Sequence, residues 1–134
     1  MKLTLFNENE LEGMKFSLLI VEDEDSVRSG LKLLLESKYK NIQLAEAITG
    51  EDAVDKLELQ KFNIIICDYK LPGLFGTDLI KKLLEMDPET KIIVFSRYSS
   101  QQYRNDCFDA GAFSFISKIF FDESTIFEAI EDAL

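Results

Sequence analysis

The sequence contains no histidine at all, and this absence excludes several kinds of chemistry. Without an imidazole the chain has no His-based general acid or base, no histidine metal ligand and no residue that could donate a phosphoryl group as phosphohistidine. Basic residues are also scarce, since 15 lysines and arginines stand against 25 aspartates and glutamates, for a formal net charge of −10. A surface of that charge repels phosphate backbones and anionic lipids, so we expect no direct binding to nucleic acid and no membrane partner.

Long apolar runs and cysteines are equally scarce. No apolar stretch approaches the roughly 18 residues of a membrane span, and the N-terminal MKLTLFNENELEG carries acids where a secretory signal has an apolar block. The two cysteines, Cys67 and Cys107, lie in apolar or helical contexts, which predicts buried, reduced thiols and a cytoplasmic protein. The 134 residues, of which 46% are hydrophobic, suffice for one compact domain with its own core.

Short apolar blocks alternate with amphipathic segments along the chain. The blocks predict five strands, at Phe16–Val21, Ile42–Ala45, Phe62–Cys67, Ile92–Phe95 and Ala112–Ile116. The segments between them predict five helices, including those at Glu51–Gln60, at Gln101–Ala110 and from about Glu123 to the end, with Asp25 as N-cap of the first. Strict alternation of this kind predicts an α/β fold, an open parallel sheet with helices on both faces. Residues 1–15 match no element, so we expect an N-terminal arm of unknown role before a domain at 16–134.

Polar side chains follow four of the five predicted strands. Glu22–Asp25 follow the first strand, Asp68 the third, Ser96 the fourth and Lys118 the fifth, whereas the second contributes none and is expected at the outside of the sheet. Open α/β sheets bind ligands at the carboxyl ends of their strands, so we expect these side chains to converge. Crowded carboxylates repel one another unless a cation neutralises them, and Mg²⁺ suits such oxygen ligands. A carboxylate, a metal ion and a lysine around one space indicate phosphoryl transfer to an aspartate.

These residues lie in four motifs, LLIVEDE, IIICDYKLPGLFG, IIVFS and FSFISK. In this order, each at a strand end, the motifs resemble the receiver domain of two-component response regulators, over about residues 16–134. The resemblance implies a flavodoxin-like (βα)5 fold with a doubly wound, five-stranded parallel sheet of order 2-1-3-4-5. It also implies a CheY-like signalling switch rather than a metabolic enzyme.

The resemblance further implies roles for the residues at matching positions. Asp68 would be the phosphoacceptor, taking a phosphoryl group from the phosphohistidine of a sensor histidine kinase or a phosphotransfer protein. Asp23, Asp68 and the backbone carbonyl of Lys70 would bind Mg²⁺, with Glu22 acting through metal-bound water. Lys118 would pair with Asp68 at rest and with a phosphoryl oxygen afterwards.

A conformational switch is implied as well. Ser96 would swing toward the phosphoryl group and Phe115 would turn inward behind it, which biases a two-state element by a local change of charge. The face formed by the fourth and fifth predicted helices with the fifth strand would contact an output domain, an output protein or a second copy of the chain, giving a homodimer.

Some positions depart from the usual family pattern. Arg97 follows the switch hydroxyl where a small residue is usual, so it would either narrow access to Asp68 or add a phosphate contact. Lys70 and Tyr98 would flank the phosphoryl group and shield it from water, which predicts a long-lived phosphorylated state. Ile119 follows Lys118 where proline is frequent, so we expect a trans peptide bond there.

Other functions are compatible with parts of the pattern. A pseudo-receiver of the same fold would act only as a protein-binding module; Arg97 favours it, and the intact Asp23, Asp68 and Lys118 oppose it. A flavodoxin-like cofactor binder would need a glycine- or hydroxyl-rich phosphate loop after the first strand, where this chain has EDED. A phosphatase with an aspartate nucleophile would need a second acid where Lys70 stands.

Overall fold

Five parallel strands form one sheet with helices on both faces in the computed structural model, which describes residues 7–119 and 122–134. The strand order is β2-β1-β3-β4-β5, as predicted, so the second strand lies at an edge. The elements in chain order are α1 (Glu8–Gly13), β1 (Phe16–Val21), α2 (Asp25–Lys38), β2 (Ile42–Ala47), α3 (Gly50–Leu59), β3 (Ile64–Cys67), α4 (Gly76–Met86), β4 (Lys91–Ser96), α5 (Gln101–Asp109), β5 (Ser114–Ser117) and α6 (Glu123–Ala133).

The central strand β3 is buried along its whole length because both of its faces are covered by helices. Ile65 and Cys67 join the apolar cluster under α3, α4 and α5, whereas Ile64 and Ile66 join the cluster under α2 and α6. Successive side chains of a strand point to opposite faces, so a strand between two helical layers is apolar at every position. This requirement explains the uninterrupted run of isoleucines in the sequence.

Backbone pairing continues past the carboxyl ends of the strands and sets the positions of the polar residues there. The Asp68 N–H donates to the Val21 carbonyl at 3.0 Å, and the Lys118 N–H donates to the Ser96 carbonyl at 2.9 Å. Because the strands are parallel and in register, the residues that follow β1, β3, β4 and β5 emerge at one edge of the sheet. That edge carries the candidate site.

Several element boundaries differ from those that the sequence predicts. The strand β2 is two residues longer, ending at Ala47, and β3 begins at Ile64 instead of Phe62. The fifth strand begins at Ser114 instead of Ala112, because the Ala112 N–H donates to the Cys107 carbonyl and closes the end of α5. Apolarity predicts burial, but hydrogen bonding decides where a strand begins.

The helix α1 lies in the segment to which the sequence assigns no element. The side chain of Asn7 caps it by accepting from the Glu10 N–H at 2.8 Å, and Leu11 is buried. The Lys40 N–H donates to the Glu12 carbonyl at 2.9 Å and attaches the helix to the end of α2. A six-residue helix is unstable alone and depends on such tertiary contacts, which the sequence pattern does not reveal. Residues 1–6 of the predicted arm lie outside the described residues.

Asp25 does not have the capping position predicted for it. It is the first residue of α2, Glu24 is the N-cap, and the Asp25 carboxylate pairs with the Arg28 guanidinium at 2.6 Å. A carboxylate in the first turn still interacts favourably with the positive end of the helix dipole. Cys67 and Cys107 are buried free thiols, as predicted. None of the helices in the described ranges is both long enough and apolar enough to cross a membrane.

Candidate functional site

Three carboxylates meet at the carboxyl edge of the sheet. Glu22 and Asp23 follow β1 and Asp68 follows β3, and one oxygen from each lies within 4.8 Å of the others. Glu22 and Asp68 are 2% and 9% exposed, so two of the three acids have little contact with water. Oxygens on opposite sides of a Mg²⁺ ion lie about 4 Å apart. Small side-chain rotations would therefore bring this oxygen-only donor set to a hard divalent cation.

Lys118 links two of these acids. Its ammonium donates to Asp68 Oδ2 at 3.1 Å and to Glu22 Oε1 at 2.5 Å. The contact with Asp68 is the resting pair that the family resemblance implies. The shorter contact with Glu22 is additional, because the sequence interpretation gave Glu22 only a link through metal-bound water.

Burial and charge oppose each other at this cluster. Burial raises the pKa of the Asp68 carboxyl, and the charge and hydrogen bond of Lys118 work against that rise. Burial likewise raises the pKa of Glu22, against the hydrogen bond from Lys118. Burial alone would lower the pKa of the Lys118 ammonium, but the hydrogen bonds and charges of Glu22 and Asp68 raise it. The single positive charge of Lys118 is thus shared by two buried carboxylates. A further cation would reduce the remaining repulsion between the carboxylates of the cluster.

A cavity of ≈ 150 Å³ opens over Asp68 and is lined by Asp23, Glu24, Asp68, Lys70, Arg97, Tyr98 and Lys118. The side chains of Lys70 and Tyr98 are thus near Asp68, as the resemblance implies. The backbone N–H of Lys70 hydrogen-bonds to Asp68 and, like Lys118, works against the rise of its pKa. A larger cavity of ≈ 450 Å³ lies beside this one, between α2 and α6, and shares Arg97 and Lys118 with it. The smaller cavity is lined by two of the three clustered carboxylates, Asp23 and Asp68, and is the candidate site.

Ser96 ends β4, one strand away from Asp68. Its side chain is fully buried, and its hydroxyl accepts a hydrogen bond from the Tyr98 N–H at 3.0 Å. The hydroxyl is therefore held by the loop that follows the strand. Rotation of the Ser96 side chain away from this position would break that bond, and the switch role expected of Ser96 stays a prediction.

Phe115 lies inside the apolar cluster under α5 and is 8% exposed. The guanidinium of Arg104 lies 4.8 Å from the centroid of its ring, and Arg104 Nε donates to the Ser99 carbonyl at 3.2 Å. The ring is thus held inward in this structure, and its movement on phosphorylation stays a prediction. Nothing in the sequence pattern singles out Arg104, because its partners depend on how α5 packs.

Aromatic rings pack next to Tyr98, which lines the cavity over Asp68. The ring of Tyr103 contacts Tyr69 and Tyr98, with centroids 5.0 and 6.0 Å away, and Tyr69 contacts Phe75 at 6.4 Å. The sequence interpretation gave Tyr69 no role beyond packing and did not single out Tyr103. The peptide bond before Ile119 is trans, as predicted, like every other peptide bond among the described residues.

Comparison with known proteins decides the family, because the model of the response regulator receiver domain matches residues 18–131. The chain belongs to the response regulator receiver domain family. The chemotaxis protein CheY of Thermotoga maritima is 34% identical to this receiver domain over 113 residues, which cover 84% of this chain and 92% of CheY. A solved CheY-like receiver domain from Methanospirillum hungatei superposes with a TM-score of 0.80 at 28% identity, covering 89% of this chain and 93% of that one.

Other relatives of the receiver domain are longer proteins. The transcriptional activator ExaE of Pseudomonas putida is 29% identical over 101 residues, which are 75% of this chain but 47% of ExaE. The chain thus spans about half the length of several curated relatives that it matches. The family makes this receiver domain a signalling switch of two-component systems. Receiver domains typically bind a divalent metal at an acidic pocket such as that of Glu22, Asp23 and Asp68.

Proposed function

We propose that this receiver domain is a phosphoacceptor that takes a phosphoryl group onto Asp68 from the phosphohistidine of a sensor histidine kinase or a phosphotransfer protein. The observation that carries the proposal is the cluster of Asp68, Glu22 and Asp23, with Lys118 bonded to two of these acids, Glu22 and Asp68. Two buried acids that share a single lysine cost stability, so their presence at the carboxyl edge of the sheet favours a chemical role.

The chemistry of the transfer follows from the position of Asp68. A carboxylate oxygen of Asp68 attacks phosphorus and forms the O–P bond of an acyl phosphate. The N–P bond of the phosphohistidine breaks, its electron pair stays on the imidazole nitrogen, and that nitrogen takes up a proton. Lys118, which donates to Asp68 Oδ2 at rest, pairs with a phosphoryl oxygen afterwards. Its charge also favours the ionised, nucleophilic form of Asp68.

The acid cluster fits a magnesium ion. Asp23, Asp68 and the backbone carbonyl of Lys70 would hold the ion, with Glu22 linked through a water molecule. When bound, Mg²⁺ neutralises charge on the carboxylates and on the phosphoryl group that is transferred. The nucleophile is Asp68, which Lys118 orients through its hydrogen bond. Lys118 also supplies a second positive charge beside Asp68.

Phosphorylation would be read out through the loop after β4. Ser96 would leave the Tyr98 N–H for a phosphoryl oxygen and release that loop toward α5, with Phe115 behind it. The surface of α5, β5 and α6 would then contact an output domain, an output protein or a second copy of the chain in the cytoplasm. The switch would have no activity beyond Mg²⁺-dependent self-phosphorylation and slow self-dephosphorylation.

The test uses acetyl phosphate with Mg²⁺, because acetyl phosphate donates a phosphoryl group without a kinase and leaves as acetate. We expect one phosphoryl adduct by intact mass, dependent on Mg²⁺ and absent in Asp68→Asn. An adduct that persists in Asp68→Asn would locate the acceptor elsewhere. Absence of an adduct from the wild type would contradict the proposal and support the alternative, a pseudo-receiver that acts only as a protein-binding module.

A further inference from the structure

A carboxylate outside the acid cluster holds the loop that leaves Asp68. Both side-chain oxygens of Glu51 lie within hydrogen-bond distance of the Leu74 N–H, at 2.9 and 3.1 Å. Glu51 is in the first turn of α3, and Leu74 belongs to the loop between β3 and α4. That loop also contains Lys70, whose carbonyl is the proposed metal ligand.

Two glycines make this contact possible. A Cβ atom on Gly50 would lie 1.8 Å from the Leu74 carbonyl oxygen, so only glycine lets the two backbones approach. A Cβ atom on Gly73 would lie 2.2 Å from a carboxylate oxygen of Glu51, and Gly73 has a φ of +74°. The close approach on both sides of the hydrogen bond means that the loop and the start of α3 are shaped to each other.

The start of α3 is itself well anchored. Thr49 Oγ1 accepts from the Asp52 N–H at 3.0 Å, and Asp52 Oδ2 accepts from the Ile48 N–H at 3.2 Å. Lys56 donates to Asp52 at 3.1 Å and to the Glu46 carbonyl at 3.2 Å, which ties the helix to β2. Glu51 therefore reaches the loop from a support that is fixed to the sheet.

We propose that Glu51 is a positioning residue of the phosphorylation site. By accepting from the Leu74 N–H it holds the loop after Asp68, and so it keeps the Lys70 carbonyl in place for the metal ion. This inference rests on the proposed function for the role of Lys70. A hydrogen bond from a backbone N–H to a carboxylate is stronger than one between neutral groups, so one exposed side chain suffices for the purpose.

The experiment separates the reach of the side chain from its charge. Titration calorimetry with Mg²⁺ alone measures the metal affinity of the wild type and of three variants, each with a thermal melt in the same buffer. Glu51→Gln keeps an acceptor oxygen at the same reach and should bind Mg²⁺ within about twofold of the wild type. Glu51→Ala and Glu51→Asp lose the contact and should bind it about three- to tenfold more weakly. Asp55→Ala, an exposed acid on the same helix, is the matched control and should change nothing.

Some results would overturn the inference. Unchanged Mg²⁺ affinity in Glu51→Ala would show that the loop is held without Glu51, and equal losses in Glu51→Gln and Glu51→Ala would make the effect one of charge. Glu51→Asp retains the charge, so if Glu51→Ala does not fold, normal affinity of Glu51→Asp is the contradicting result. Failure of the proposed function is recognised separately, as absence of the acetyl phosphate adduct from the wild type at saturating Mg²⁺.

Discussion

The guanidinium of Arg97 lies 3.4 Å from a carboxylate oxygen of Glu24, and both residues line the cavity that opens over Asp68. Their side chains are 58% and 48% exposed, so the pair is of the solvated kind that contributes about 0–1 kcal/mol. Such a pair narrows the mouth of the cavity and opens at little cost. The contact with Glu24 therefore favours the role in which Arg97 narrows access to Asp68 over the role in which it contacts the phosphoryl group.

Removing the guanidinium should therefore ease entry of small phosphodonors. We expect Arg97→Ala to be phosphorylated by acetyl phosphate about two- to fivefold faster than the wild type, with Glu24→Gln showing a smaller effect in the same direction, because either change breaks a weak ion pair. The measurement is the initial rate of adduct formation by intact mass. Lys82→Ala removes an exposed lysine on α4 and should match the wild type. A slower Arg97→Ala would instead mean that Arg97 contacts the phosphoryl group.

The ring of Tyr98 covers one side of the same cavity and is supported by Tyr103, with 6.0 Å between centroids. Excluding water from an acyl phosphate slows its hydrolysis, so Tyr98→Ala should shorten the lifetime of phosphorylated Asp68, by about three- to tenfold. Tyr98→Phe retains the ring and should keep the lifetime. Decay of the adduct after removal of the donor gives both numbers. Rapid hydrolysis in the wild type itself would contradict the shielding.

The contact of Arg104 with Phe115 predicts an effect on stability. Arg104→Met keeps an unbranched side chain but loses both the cation over the ring and the bond to the Ser99 carbonyl. We expect the free energy of unfolding to fall by about 1–2 kcal/mol. Lys91, which lies 5.5 Å from the more exposed ring of Phe113, provides the matched control. Lys91→Met should cost clearly less, and equal costs would argue against a specific role of Arg104.

The raised pKa of Asp68 predicts that the stability of the protein in metal-free buffer depends on pH. Burial raises its pKa in the folded state, so the folded protein binds the proton more tightly than the unfolded chain does. Its contribution to stability is then present at low pH and is lost as the pH rises from its ordinary pKa through the raised one. Asp68→Asn should therefore melt at a higher temperature than the wild type at pH 7. The gain should vanish below about pH 4, where the carboxyl is protonated in both states.

Magnesium should narrow the difference in melting temperature between Asp68→Asn and the wild type. The proposed metal site is assembled only in the folded protein, so Mg²⁺ should raise the melting temperature of the wild type more than that of Asp68→Asn. Asp55→Asn removes an exposed carboxylate of α3 and should follow the wild type in both buffers. A wild type that melts at the same temperature with and without Mg²⁺ would contradict the proposed metal site.

Much of the fold was predictable because it follows from local patterns. The apolar run Ile64–Cys67 is followed by Asp68 and then by the turn residues Pro72 and Gly73. Such a pattern specifies a buried strand and places an aspartate at its carboxyl end. Alternation of such strands with helices leaves few topologies. The predicted site residues Glu22, Asp23, Asp68 and Lys118 therefore converge, since parallel strands place their carboxyl ends at one edge.

Other features depend on contacts between distant segments and had no local signal. The helix α1 is stabilised by docking onto the end of α2, and the capping position went to Glu24 rather than Asp25 because hydrogen bonding decides such boundaries. In the sequence Glu51 is one of several acids in the first turn of a helix, and only the folded structure shows that it accepts from the Leu74 N–H. The same holds for Arg104, whose partners on β5 and on the loop after β4 meet only when α5 packs.

The sequence by itself determined which side chains gather at the sheet edge, because strand length, alternation and turn residues act over a few positions at a time. Only the tertiary structure decided how those side chains share charge, with Lys118 between Glu22 and Asp68 and Arg97 over Glu24. The physical reason is distance. A change of less than an ångström in the distance between two atoms decides whether they form a hydrogen bond or an ion pair, and that distance is set by the packing of the whole domain.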